Sequence, residues 1–238
     1  MERKQEELGI HILENARNEL YYHFPYLDGA FACISGKASD QTRTIGTDGE
    51  DFLFSPEYLL ELYVKKPEAV RRGYLHMLLH CLYLHIFREN QEDKRMWNLA
   101  CDIAVEQIIT REKLHSLKIP ENEVRRKVLQ RLGGQADSAE KICRKLKEEA
   151  FSFRLEEMEE AFHFDDHTLW DTCTGEKGKR TKEKWNKLLS YTAANRQDHR
   201  KRRGSQKGEQ KEAAGTVRSG RYDYKKFLRQ FSVLREEV

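Results

Sequence analysis

His76 and His80 stand four residues apart in the segment Gly73-Tyr-Leu-His-Met-Leu-Leu-His-Cys-Leu-Tyr-Leu-His85. On an α-helix that spacing places both imidazoles on one face, one turn apart. Two such rings can converge on a single divalent ion at about 2.0–2.1 Å, the usual Zn–N distance. The segment is strongly apolar, and an unpartnered imidazole is costly to bury in such surroundings. A metal site removes that cost, and so does a hydrogen bond inside a metal-free structural core.

The further donors must come from elsewhere. Asp102 ends the stretch Trp97-Asn-Leu-Ala-Cys-Asp102 and is flanked by Ala100, Cys101, Ile103 and Ala104. A carboxylate among small apolar residues is expected to have a partner, which makes Asp102 the candidate third ligand beside His76 and His80. Glu106 lies one turn later and is either an alternative ligand or a group that orients one. His85 falls about 140° further round an ideal helix than His80, so it reaches the same ion only if the helix ends or bends first. Otherwise it is a histidine favoured by a helix C-terminus. The run His163-Phe-Asp-Asp-His-Thr-Leu-Trp-Asp171 brings Asp165, Asp166 and His167 into one loop. They can support or close over a site, and Asp165 or Asp166 can equally cap a helix.

In the zinc-hydrolase pattern H-E-x-x-H the second residue is the general base. Here that position is Met77. A thioether can neither accept a proton nor orient a water, so a metal scaffold is expected without its usual catalytic carboxylate. Glu106, Asp165 or Asp166 could substitute, and no catalytic residue is assigned.

The elements that must hold these residues are mostly helical. Leu8, Ile12, Ala16 and Leu20 recur at four-residue steps and predict an amphipathic helix up to Pro25. Phe31–Ile34, Thr42–Thr47 and Phe52–Phe54 read as two or three short strands, with Thr47-Asp-Gly49 as a tight turn. Ser55-Pro56 reads as a helix cap followed by proline at the first helical position. A helix from Pro67 to about Phe87 would carry the histidines. Another, about 94–110, would carry Asp102 and pack antiparallel to it. Residues 120–132, 138–162 and 181–199 also read as helical, and 201–216 as a mobile linker. The fold class expected is α+β, predominantly helical, with one small hairpin or three-stranded sheet.

The 238 residues are 38% hydrophobic and 35% charged, which suits a modest core under charged helical surfaces. The net charge of +3 hides a division: residues 177–212 hold 13 Lys/Arg against 4 Asp/Glu, so the body is acidic and the tail basic. That tail carries few aromatics and no nucleic-acid motif, so nucleic acid is not the expected partner. Five cysteines without metal-finger spacing read as reduced thiols. The polar N-terminus and short apolar runs predict a cytoplasmic protein with no membrane association.

Taken together, Thr47-Asp-Gly49, Phe54-Ser-Pro56, His76-x-x-x-His80-x-x-x-x-His85 and Trp97-Asn-Leu-Ala-Cys-Asp102 resemble the zincin-like metallopeptidase domain at the N-terminus of bacterial VWA-like domain proteins. The resemblance implies a zincin-like domain over 1–175, a basic helix and flexible linker over 176–220, and the start of a truncated VWA-like region over 221–238. It maps the family's H-E-x-x-H and following His onto His76, Met77, His80 and His85, and its W-N-x-A-x-D onto Trp97, Asn98, Ala100 and Asp102. It also implies zinc as cofactor, a neighbouring VWA-like domain, and a MoxR-type AAA+ ATPase as partner. Three functions follow: a metal-binding but catalytically impaired scaffold (a pseudoenzyme), an active zinc peptidase with a non-standard base, or a metal-free structural domain.

Overall fold

The computed structural model describes residues 2–88, 93–133, 138–148 and 153–204. The first helix, α1 (Glu2–His23), buries Ile12, Leu13, Ala16 and Leu20 as their spacing predicts. Leu8 instead stays 50% exposed. At that turn the contact is made by Gly9, where a Cβ would fall 2.3 Å from the Phe54 ring.

A 3-10 turn (Pro25–Leu27) leads into the short helix α2 (Asp28–Ala32). Here the expectation of a strand over Phe31–Ile34 is corrected, because the first strand, β1, is Ser35–Ala38. Phe31 is drawn into the core beside the ring of Tyr74, and this tertiary contact overrides its preference for a strand. Strands β2 (Ile45–Thr47) and β3 (Asp51–Phe54) form the expected hairpin. Its turn is held by the Thr47 hydroxyl, which accepts from the Gly49 amide at 3.0 Å, and by Asp48, which accepts from Glu50 and Asp51. β1 pairs with β3 in parallel, giving the order β1-β3-β2. The fold is therefore mainly helical with one small mixed sheet.

Helix α3 (Pro56–Lys65) begins after Ser55, whose side chain makes no capping bond. Helix α4 (Pro67–Leu82) is buried almost throughout from Val70 onward, and α5 (Lys94–Arg111) from Leu99 to Ile109. They are antiparallel: Arg72 meets Glu106 and Thr110, His76 meets Glu106 and Asp102, and His80 meets Asp102. Rising numbers on one helix meet falling numbers on the other.

Helices α6 (Glu123–Arg131), α7 (Ala139–Glu148) and α8 (Leu155–Phe162) cover α5 or one another. The expected helix over 138–162 is thus two helices, with 149–152 outside the described residues. Helix α9 (Gly175–Gly204) returns across the body and packs on α2 and α4. Its Trp185 is fully buried and donates to the Gly49 carbonyl at 2.7 Å. The linker expected over 201–216 is corrected at its start, because 201–204 continue α9; 205–216 and the region expected over 221–238 lie outside the described residues. Among the described residues no helix is long and apolar enough to cross a membrane.

Candidate metal centre

The site forms where α4, α5 and the loop after α8 meet. His76 and His80 project from adjacent turns of α4 with ring centroids 4.6 Å apart, and both are fully buried. Asp102 on α5 faces them: its Oδ1 lies 3.2 Å from His76 Nε2 and 3.3 Å from His80 Nε2. The loop adds Asp165 and His167. His167 Nε2 is 3.0 Å from Asp102 Oδ1 and 3.2 Å from Asp165 Oδ1, and the latter oxygen is 3.5 Å from His76 Nε2. Five donor atoms, from His76, His80, Asp102, Asp165 and His167, thus lie within 4.8 Å of one another.

The loop is tied to the sheet edge. The Asp166 amide donates to the Ile45 carbonyl at 2.7 Å, and Thr42 donates its hydroxyl to Asp166 at 2.9 Å. This approach requires Gly46, because a Cβ there would fall 2.7 Å from both the Asp166 carbonyl oxygen and a methyl of Leu169. Asp166 also caps the 3-10 helix His167–Thr172 by accepting from the Thr168 amide, so it turns away from the donors. The indole of Trp170 stacks on His167 at 3.8 Å.

Glu106 and His85 occupy different places from the five donors. Glu106 lies 3.1 Å from Nδ1 of His76, on the far side of the ring from Asp102. Its carboxylate also accepts from Arg72, at 2.6 Å from Nη2, and Arg72 further donates to the Leu117 carbonyl and to Thr110. α4 ends at Leu82, and Leu84 takes a left-handed conformation (φ 60°), which brings Nδ1 of His85 to 3.0 Å from Nδ1 of His80. Each helical imidazole is therefore held by its Nδ1 while its Nε2 faces the cluster. This is the arrangement in which outer partners fix the tautomer and orientation of a metal-binding histidine. Met77 is fully buried within the hydrophobic core.

Charge follows from this geometry. Burial alone would depress the His76 pKa, but hydrogen bonds to Asp102 and Glu106 and the Asp165 charge raise it to about 9. His167 is raised to about 10: Asp102 and Asp165 outweigh its burial. His80 is pushed down to about 4 by burial and by the charge on His76. Burial opposes ionisation of Asp102, Asp165 and Glu106, yet the His167 charge holds the first two low, and Arg72 does the same for Glu106.

A family model described as "Putative metallopeptidase domain" matches residues 10–226. The chain belongs to this family. No curated protein and no solved structure matches it.

Within this metallopeptidase-domain chain the donor set suits a divalent ion. Imidazole nitrogen and carboxylate oxygen are the usual partners of zinc and of several neighbouring transition metals. Among the described residues His80 Nε2 and Asp165 Oδ2 are both buried without a hydrogen-bond partner, a cost that a bound cation would remove. A cleft of about 350 Å³ opens beside the cluster, lined by Asp102, Asp165 and His167 together with Asn98, Glu159 and His163.

Two of the five donors, Asp165 and His167, were legible only as members of a dense loop. The signal was its composition, two His and three Asp in nine residues.

Proposed function

We propose that this domain binds a divalent metal ion, zinc in the first place, and that peptide hydrolysis is impaired. The supporting observation is a balance of charge. Asp102, Asp165 and Glu106 are buried carboxylates held low in pKa, and Arg72 offsets only one of them. In the metal-free chain the protonated His76 and His167 offset the remaining two, and one divalent cation on the convergent Nε2 atoms of His76, His80 and His167 and the oxygens of Asp102 and Asp165 would replace those two protons at the same net charge.

A zinc ion held there would polarise a carbonyl group and lower the pKa of water. The chain's own groups would orient the donors: Glu106 through His76, His85 through His80, and Trp170 by stacking on His167. The impairment rests on Met77, which cannot move a proton, and on Glu106 being engaged by Arg72 and His76. Such a domain would serve in the cytoplasm as a scaffold beside a VWA-like domain and a MoxR-type AAA+ ATPase, partners suggested by the family resemblance.

Metal analysis of the protein purified without a His-tag tests this reading. About one equivalent of metal per chain is expected, lost in His76→Ala and His80→Ala. Less than about a tenth of an equivalent, unchanged by these substitutions, would leave the metal-free structural domain as the answer.

One observation favours a second reading, an active hydrolase. Zinc in catalytic sites takes three protein ligands, and five donors converge here beside an open cleft. A spare aspartate, Asp165 or Asp102, would then be the general base. Chelator-sensitive cleavage of a peptide library, abolished by Asp165→Asn with metal content unchanged, would establish it. Absence of turnover in the metal-loaded protein would exclude it.

A further inference from the structure

A second concavity, of about 820 Å³, adjoins the metal centre and contains none of its five donors, though His85 forms part of its wall. The two share Trp170, whose ring stacks on His167 and forms part of the cavity wall. Lys94 and Asn98 line both this cavity and the 350 Å³ cleft, so the two spaces meet there. The volume falls in the range of pockets that enclose small ligands, and the walls have the matching character: aromatic and apolar surface with a few polar groups.

Two features specify the ligand. Trp97 and Trp170 give the wall its aromatic surface. Among the described residues four exposed cations, Arg88, Lys94, Lys179 and Lys182, stand around it with one lining carboxylate, Asp171. Arg88, Lys94 and Lys179 have surface carboxylate partners in Glu140, Asp171 and Glu176, and such exposed pairs are weak enough to exchange. Among the described residues Lys182 donates to the Phe87 carbonyl, at 3.4 Å, and has no carboxylate partner. The first turn of α9, at Gly175 and Gly178, adds the positive end of a long helix.

We propose that this cavity binds an acidic peptide segment. Its carboxylates engage Lys182 and Lys94, and its apolar side chains lie on Trp97 and Trp170. The opening at Lys94 and Asn98 leads the segment toward the metal centre. No cavity cation is a metal donor, so binding stands apart from the metal reading.

The test is fluorescence anisotropy of the full chain with a fluorescein-labelled peptide alternating glutamate and leucine, in chelator-treated and in zinc-supplemented protein. Binding is expected in both, weakened about fivefold or more by Lys182→Gln. Lys182 is exposed, so its substitution leaves the fold intact and keeps the result interpretable. Equal binding of a lysine-for-glutamate peptide, displacement by inorganic phosphate alone, or unchanged affinity in Lys182→Gln would each overturn the proposal.

Discussion

His80 Nδ1 and His85 Nδ1 lie 3.0 Å apart because the chain turns left-handed at Leu84 between them. One ring must donate and the other accept. For His80 to present a free Nε2 to the cluster, its Nδ1 carries the proton and His85 accepts it. Replacing His85 with Phe keeps the ring but removes the acceptor. Zinc affinity, measured by competition with a chromophoric chelator, is expected to fall roughly 10–100-fold with the helical circular dichroism unchanged.

Arg72 and Glu106 form an ion pair that is buried on both sides, and Glu106 in turn holds His76. Arg72→Met strands a carboxylate in the core. It is expected to destabilise the chain by about 3–5 kcal/mol in urea unfolding. Glu106→Gln keeps the shape and much of the hydrogen bonding. It still leaves the Arg72 guanidinium without its counter-charge, so a lower unfolding midpoint is expected, by less than in Arg72→Met, together with weaker metal affinity through His76.

Metal uptake should release protons. With pKa values raised to about 9 and about 10, His76 and His167 are protonated at neutral pH in the metal-free chain. Their contribution to metal-free stability is complete below the unfolded value near 6.5, and it is lost as pH rises through about 9 and then about 10. A metal ion must displace both protons, so affinity should rise from pH 6 to about 9. Calorimetry in buffers of different ionisation enthalpy should report about two protons released per ion at pH 7. Release of none would show that these imidazoles do not coordinate.

Gly46 admits the loop that carries Asp165 and His167. Gly46→Ala places a methyl against the Asp166 carbonyl and Leu169, and the loop must move to accommodate it. The expected result is a loss of metal affinity of roughly tenfold or more, because donors must be held to about half an ångström. The α4 and α5 donors do not depend on this contact, so residual binding should survive and should vanish in Gly46→Ala/His80→Ala.

How much of this could be read from the residues depends on how locally each feature is encoded. His76 and His80 were legible because helical spacing alone aligns them. Asp102 was legible because an acid among alanines and isoleucines demands a partner. Asp165 and His167 could not be assigned as donors, since no periodicity relates a loop after α8 to a helix far earlier in the chain. The Gly46 to Asp166 approach that decides their position is a tertiary contact. The same limit explains Phe31, whose preference for a strand yields to its packing beside Tyr74. His85 was a question of where a helix stops, and the left-handed Leu84 answers it.

The attachment of the donor loop to β2 also sets an order of events during synthesis. A chain emerging from its N-terminus presents His76, His80 and Asp102 before Asp165 and His167 exist. An ion meeting the nascent domain would first encounter three donors open to water on one side. Only when residues 163–171 emerge and join the waiting sheet edge can the last two donors close over it. Capture would therefore proceed in two stages, a loose hold while the chain is unfinished and a tight one afterwards, with the edge of a three-residue strand as the latch.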